Sequence, residues 1–223
     1  MPKIVLIVAA HPDDEALGCA GVIAKHIASG DKVHVIFMTN GVGSRNTSSN
    51  IDIESRQMAA YKAANVLGIV SMQNFDFPDN KMDTPPLLNI VQSIESVINE
   101  LQPQTIYTHH IGDLNIDHQI THKAVMTACR PQPGFCVKEV YAFEVLSGTE
   151  WSAPGVKPFS PNVYIDITDY IDIKKQALGF YSKEMRQPPH SRSINNTIRL
   201  NALRGNSVGV DYAEAFELIR MIR

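Results

Sequence analysis

The sequence predicts an α/β fold, in the form of a Rossmann-like three-layer fold with a mostly parallel sheet flanked by helices. Runs rich in Val and Ile alternate along the chain with stretches of helix-like character. This repetition of strand and helix predicts right-handed crossovers and a parallel sheet. The early strands are nearly continuous in apolar character, as strands covered on both faces are. A length of 223 residues suits one domain, so we expect residues 1–223 to form a single domain.

The elements follow from this pattern in chain order. The apolar runs predict strands at Lys3–Ala9, Lys32–Thr39, Met72–Phe77, Gln104–Thr108, Glu139–Val145 and Asn162–Asp166. The stretches between and after them predict helices at Glu15–Ser29, Ile51–Leu67, Pro86–Leu101, His118–Cys129, Tyr170–Ser182, Ser193–Leu203 and Asp211–Ile222. The first helix follows an acidic turn, and Asp117 can serve as the N-cap of the fourth.

Composition excludes several classes of protein. The formal net charge is −3, so no basic surplus suggests a nucleic-acid partner. Three Cys without a C-x-x-C pair argue against a disulfide framework and a Cys-based zinc site, and we expect reduced, mostly buried thiols. No apolar stretch is long enough to cross a membrane, and the N-terminus lacks a signal-peptide pattern. We therefore expect a cytoplasmic protein.

Two loops leave alternatives open. Residues 41–50, "GVGSRNTSSN", are polar and follow a strand, so they form either a mobile lid or a long solvated turn. Residues 184–193, "EMRQPPHSRS", are interrupted by Pro and end near a helix start. This second loop either carries substrate-binding groups on Arg186, His190 or Arg192, or simply connects two helices.

An acidic turn follows the first strand in the stretch "AAHPDDE". Ligands of open α/β sheets bind beyond the carboxyl ends of the strands, where this turn lies. Pro12 stiffens the turn, and a sharp turn brings His11 and Asp14 within reach of one point, with Asp13 close by. Helix capping by the acids is the competing interpretation. It leaves costly buried carboxylates unless they are paired or bind a cation. A dinucleotide site is disfavoured, because the turn has no G-x-G-x-x-G and its acids would repel a pyrophosphate.

A second polar cluster, "YTHHIGDLNIDHQITH", follows the strand that ends at Thr108. His118 is expected on the first turn of the next helix, pointing across the strand ends. Together with His11 and Asp14 it gives three protein ligands, the number found in catalytic zinc sites that keep a fourth position for water. His122 lies one helical turn after His118, but the pair lacks the acid of the metalloprotease motif.

These motifs resemble those of the PIG-L (LmbE-like) family of zinc-dependent N-deacetylases. "AHPDDE" after an N-terminal strand, followed by "D-x-N-x-D-H", carries most of the resemblance. Weaker matches in the same order are "ESRQMAAYKAANVLG", "FPDN" and "RGNSVGVDYAEAF". The resemblance implies that His11, Asp14 and His118 bind the metal and that Asp13 is the general base. It also implies that Arg56 and Asp79 contact a sugar.

One position departs from the family pattern. Many relatives have a His three residues before the last ligand, where it is thought to stabilise the oxyanion, and this chain has Asn115. Asn can donate a hydrogen bond but carries no positive charge. Three alternatives remain: Asn115 is the donor, His110 reaches in from the strand end, or the metal alone supports the oxyanion. Asp117 would then orient His110 or cap its helix.

The resemblance implies hydrolysis of an N-acetyl group on an amino sugar or glycoconjugate. The cofactor would be zinc, although two His and a carboxylate also suit another divalent metal such as Fe²⁺. An amidase acting on a non-sugar amide or thiol conjugate is an alternative, as is a non-catalytic sugar-binding protein. The expected partner is a small N-acetylated sugar or conjugate, without nucleic acid, and a homo-oligomer is compatible with the sequence.

Overall fold

A mixed seven-stranded sheet lies at the centre of the computed structural model, which describes residues 2–43 and 49–223. The strands are β1 (Ile4–Ala9), β2 (Lys32–Thr39), β3 (Ser71–Phe77), β4 (Thr105–His109), β5 (Glu139–Phe143), β6 (Val163–Asp166) and β7 (Ala213–Met221). Their order in the sheet is β3-β2-β1-β4-β5-β7-β6. The strands from β3 to β5 in this order pair in parallel, and β7 is antiparallel to both of its neighbours.

Helices cover both faces of this sheet. They are α1 (Asp14–Ala28), α2 (Asn50–Leu67), α3 (Leu87–Leu101), α4 (Ile116–Ala128), α5 (Ile171–Phe180) and α6 (Ile194–Asn206). Alternate residues of β1 enter two separate apolar cores: Val5 and Ile7 pack with α1, α2 and α5, whereas Leu6 and Val8 pack with α3 and α4. This arrangement explains the continuous apolar run of β1 and confirms the predicted three-layer α/β fold.

The chain reverses its direction across the sheet between β1 and β4. It runs outward from β1 through β2 to β3, then returns to place β4 on the other side of β1. Such a switch point leaves a crevice at the carboxyl ends of the two strands. The turn after β1 and the polar segment after β4 both open into this crevice, so the two motifs meet there.

The last predicted helix, Asp211–Ile222, is wrong, because this segment forms strand β7. Ala and Glu are poor strand formers, which is why "YAEAFELIR" looks helical. In the fold, β7 lies between β5 and β6 and bonds to both. Tertiary pairing on two edges overrides the local propensity, and Phe216 becomes a buried core residue.

Three expectations concern other parts of the chain. Cys19 and Cys129 are buried, Cys136 is half-buried, and all three are free thiols, as predicted. No helix of the described ranges has the length and apolar character needed to span a bilayer. The predicted lid or solvated turn at 41–50 includes residues 44–48, which lie outside the described residues.

Candidate metal centre and active site

The turn that leaves β1 is buried although it carries four ionisable side chains. His11 is 7% exposed, and Asp13, Asp14 and Glu15 are at most 1% exposed. Asp13 occupies the N-cap position of α1 with φ 138°, a backbone region that residues other than Gly rarely adopt, and its side chain makes no capping hydrogen bond. Helix capping therefore does not explain this acid.

Three ligand atoms from the two motifs converge in the crevice. His11 Nδ1 lies 3.1 Å from Asp14 Oδ2, and His118 Nε2 lies 3.3 Å from each of these two atoms. The three residues are buried, and the chosen atoms lie within 4.8 Å of one another. The structure thus brings together the three residues that the sequence predicted as metal ligands.

Two further carboxylates fix the orientation of the imidazoles. Asp117 Oδ2 lies 3.1 Å from His11 Nε2, and Asp113 Oδ1 lies 3.1 Å from His118 Nδ1. His11 can donate its Nε2–H to Asp117, and the charge of Asp113 lies against His118 Nδ1. In each ring the other nitrogen then faces the cluster with its lone pair. This carboxylate–histidine pairing is the arrangement that orients metal-bound imidazoles.

The electrostatics of the cluster favour an added positive charge. Burial lowers the pKa of His11, but hydrogen bonds to Asp117, Asp14 and Asp79 outweigh it and hold this pKa well above its usual value. Burial likewise opposes the charged form of His118, but the carboxylates of Asp14 and Asp113 raise its pKa to about 9. Metal binding releases the protons of its ligands, so a divalent cation would replace these protons.

The donor set fits a divalent metal. Two imidazole nitrogens and one carboxylate oxygen match the three protein ligands of catalytic zinc sites, and the same set also accepts iron. Asp14 Oδ1 is buried and finds no hydrogen-bond partner within residues 2–43 and 49–223, so this carboxylate retains lone pairs for a cation.

A second group of possible ligands shares His11. His11 Nε2 lies 3.3 Å from Asp79 Oδ1. One ligand atom from each of His11, Asp79 and Asp117 lies within 4.8 Å of the other two. However, Asp117 accepts the backbone N–H of Asn80 at 2.6 Å and that of Met82 at 3.0 Å. Asp79 and Asp117 face His11 Nε2, the ring nitrogen that does not belong to the ligand cluster. They therefore orient the imidazole of His11.

Asp13 lies beside the ligand cluster between two guanidinium groups. Arg56 Nη2 is 3.2 Å from Asp13 Oδ1, and Arg192 Nη1 is 3.0 Å from Asp13 Oδ2. The backbone N–H of Asp13 donates to Glu15 Oε2 at 3.0 Å, and Tyr181 Oη donates to Glu15 Oε1 at 2.6 Å. Both the main chain and the side chain of Asp13 are therefore held in place.

The other predicted site residues lie in different surroundings. The ring of His110 contacts the carbonyl oxygen of Lys157 at 3.0 Å and Glu217 Oε2 at 3.4 Å, and these partners lie outside the ligand cluster. Asn115 caps α4, because its Oδ1 accepts the N–H of Asp117 at 2.8 Å. The predicted N-cap, Asp117, is thus the second residue after the cap, and it contacts His11 rather than His110.

The two predicted sugar-contacting residues lie at the cluster. Asp79 approaches His11, and Arg56 pairs with Asp13 and Glu184 and lies over the Tyr181 ring. Arg56 is only 5% exposed. A sugar contact for either residue stays a prediction.

The sequence did not connect three contributors to the ligand cluster or to Asp13, although Arg192 was a candidate substrate-binding group. Asp113 belongs to the quoted second motif, five residues before His118, and this proximity of acid to ligand was the available signal. Glu15 ends the first motif, and its burial raises its pKa to about 7. Arg192 lies 179 residues from Asp13 along the chain, so no local spacing could connect the two.

The comparisons with known proteins agree with this geometry. The family model described as PIG-L, GlcNAc-PI de-N-acetylase, matches residues 6–129, which is more than half of the chain. An uncharacterized deacetylase, YaiS, of Escherichia coli K12 is 27% identical over 79% of this chain and 89% of its own. A probable N-acetyl-alpha-D-glucosaminyl L-malate deacetylase of Bacillus cereus is 26% identical over 87% of this chain and 91% of its own.

Other similarities show that the fold is shared more widely. A 4-oxalmesaconate hydratase of Pseudomonas putida is 27% identical over 79% of this chain and 72% of its own. The solved structure of N,N'-diacetylchitobiose deacetylase from Pyrococcus horikoshii superimposes with a TM-score of 0.79 at 18% identity, covering 98% of this chain and 84% of that one. At this identity the superposition demonstrates the common fold.

Proposed function

Because this chain belongs to the PIG-L family of GlcNAc-PI de-N-acetylases, we propose that it is a metal-dependent hydrolase that removes an N-acetyl group from an amino sugar or glycoconjugate. The observation that carries this proposal is the buried His11–Asp14–His118 cluster with Asp13 beside it. A protein that only binds sugars does not need a clamped carboxylate next to a metal site.

The residues divide the chemistry of amide hydrolysis between them. His11, Asp14 and His118 would hold zinc or another divalent metal such as Fe²⁺, which supplies Lewis acidity to polarise the acyl carbonyl and to acidify water. Asp13 accepts the proton of the attacking water at its carboxylate and returns it to the departing amine. The products are acetate and a free amine. Asn115 would be a neutral donor for the oxyanion, because its Nδ2 group has two N–H bonds and Asn80 Oδ1 accepts only one of them.

Asp117→Asn is expected to weaken divalent-metal binding by about 10- to 100-fold, the usual cost of losing an outer partner of a metal-bound imidazole. The amide oxygen can still accept one of the two backbone N–H groups, but the variant no longer offers a carboxylate to His11 Nε2. Competition with a chromophoric chelator measures the dissociation constant.

Glu217→Gln is the matched control for this variant. It makes the same change of charge at a buried acid that contacts a different imidazole, His110, and should leave metal affinity unchanged. An Asp117→Asn affinity within twofold of the wild type would show that Asp117 does not support the ligand.

Acetate release tests the function directly. The purified, zinc-loaded protein is offered N-acetylglucosamine, N,N'-diacetylchitobiose and N-acetylglucosaminyl malate, and acetate is quantified together with the new amine. We expect release from at least one of these substrates, in equal amounts of acetate and amine. Chelator-treated protein should be inactive, and added Zn²⁺ or Fe²⁺ should restore activity and identify the preferred metal.

Two other outcomes would redirect the assignment. Acetate release from non-sugar amides or thiol conjugates alone would favour the amidase alternative. The similarity to a 4-oxalmesaconate hydratase calls for one more assay, in which water addition to an unsaturated tricarboxylate is followed by loss of its ultraviolet absorbance. Hydration without any acetate release would contradict the deacetylase proposal.

A further inference from the structure

We propose that Arg192 is a positioning residue for Asp13 and that the loop of residues 184–193 exists in part to deliver it to the active site. This proposal rests on the proposed function, in which Asp13 is the base. It assigns a role to a residue that lies far from both sequence motifs and outside the segment matched by the family model.

The two oxygens of Asp13 are divided between two arginines. Arg56 holds Oδ1 and Arg192 holds Oδ2, at 3.2 and 3.0 Å. The Arg192 contact is a charge-assisted hydrogen bond, which is roughly twice as strong as a neutral one, and the Arg56 contact is an ion pair. A carboxylate that is fully buried, as Asp13 is, needs such partners, because an unpaired buried charge is costly. The pair of arginines therefore fixes the rotation of the carboxylate as well as its charge.

The Asp13 side chain has a second possible conformation, in which it caps helix α1 and loses its contacts with the two arginines. An Asp at an N-cap position ordinarily turns its side chain toward the free N–H groups of the first helical turn. Here the side chain makes no such bond, and the backbone is held at φ 138°. Strained residues of this kind persist where the surrounding contacts over-determine them. Losing the Arg192 guanidinium would free Oδ2 to leave the orientation that the two contacts define.

Arg56 alone cannot provide this restraint. Its second terminal nitrogen pairs with Glu184, and it approaches Asp13 from the side of α2. Arg192 comes from the opposite part of the chain, at the end of the loop before α6. Two contacts from different directions define an orientation that one contact leaves free.

Arg192 is itself held rigidly. Its Nε donates to Ser147 Oγ at 2.7 Å, and its backbone N–H donates to His190 Nδ1 at 3.0 Å. Ser147 has φ 65°, another uncommon value for a residue other than Gly. The carbonyl oxygen of Arg192 accepts the backbone N–H of Arg186 at 2.8 Å. The loop after β5 and the loop before α6 thus fix the guanidinium from two sides.

Kinetics of Arg192→Met provide the first test. We expect kcat for acetate release to fall by about 10- to 100-fold, because small misplacements of a catalytic group have effects of this size. KM should change by less than threefold and bound metal should stay at the wild-type level. Arg192→Ala with added guanidinium ion should recover part of the lost kcat. Arg199→Met, which removes the same charge from an exposed position on the helix that follows the loop, is the matched control and should behave as wild type.

Equilibrium unfolding provides a second test that needs no substrate. Arg192→Met is compared in the wild-type and Asp13→Asn backgrounds, in urea with a chelator present. We expect Arg192→Met to lower the unfolding midpoint clearly when Asp13 is present and much less when it is Asn, since only the carboxylate requires the guanidinium.

The outcomes separate the two proposals. Equal shifts in both backgrounds, or a wild-type kcat for Arg192→Met, would overturn the positioning role even if acetate is released. Coupled shifts in a protein that releases no acetate from any amide would support the Asp13–Arg192 contact while contradicting the deacetylase function.

Discussion

Asp13→Asn is expected to lower kcat for acetate release by about 10²- to 10⁴-fold, the range that general-base catalysis contributes. The amide nitrogen and oxygen can occupy the same space between Arg56 and Arg192, but an amide cannot accept the proton of water near neutral pH. The three ligand atoms are unaffected, so the variant should keep its bound metal. Initial rates and elemental analysis on the same preparation measure both quantities.

Asp172→Asn is the control for this experiment. Its side chain is 88% exposed and pairs only with Lys175 among the described residues, so the same chemical change should have no effect on rate. A rate for Asp13→Asn within tenfold of the wild type would exclude the base assignment. Loss of the metal in this variant would instead place Asp13 among the groups that hold it.

His118→Ala is expected to abolish metal binding and activity together. The cluster would keep only His11 and Asp14, and the loss of affinity should exceed the roughly 10- to 100-fold that follows from disturbing an outer partner alone. Metal content per chain after dialysis is the measurement, with a wild-type value of about one expected for a three-ligand catalytic site.

His122→Ala is the control on the same helix. His122 is nearly buried and lies one turn after His118, but its Nδ1 donates to the carbonyl oxygen of His109 at 2.7 Å. The His122→Ala variant should therefore retain its metal, and circular dichroism checks that its fold is intact. Retention of metal by His118→Ala, or its loss only in His122→Ala, would show that the ligand set is wrong.

The pattern of apolar runs was sufficient to predict most of the architecture. The continuous run of β1 predicts a strand buried on two faces, and the structure shows its residues alternating between two cores. The prediction failed at residues 211–222, where Ala and Glu favour a helix locally. The pairing of β7 with β5 and β6 decides this segment, and such pairing joins residues far apart in sequence.

The predicted ligand set also followed from local spacing, whereas the supporting contacts did not. His11 and Asp14 share one turn, and His118 belongs to a second motif that ends the neighbouring strand. The partners of these groups are harder to foresee: Asp117 was expected near His110 and instead supports His11. Moving a carboxylate by one position along a helix, or using the other nitrogen of an imidazole ring, changes which residues are in contact. Sequence spacing does not resolve such differences.

The sequence by itself determined the α/β class, the crevice edge of the sheet and the residues able to hold a metal, because periodicity and short-range spacing fix these features. Only the tertiary structure decided that β7 is a strand, that Asn115 rather than Asp117 caps α4, and that Arg192 reaches Asp13. Each of these outcomes depends on atoms brought together from distant parts of the chain. Their energies come from pairing and burial in the folded state, which no local pattern of residues records.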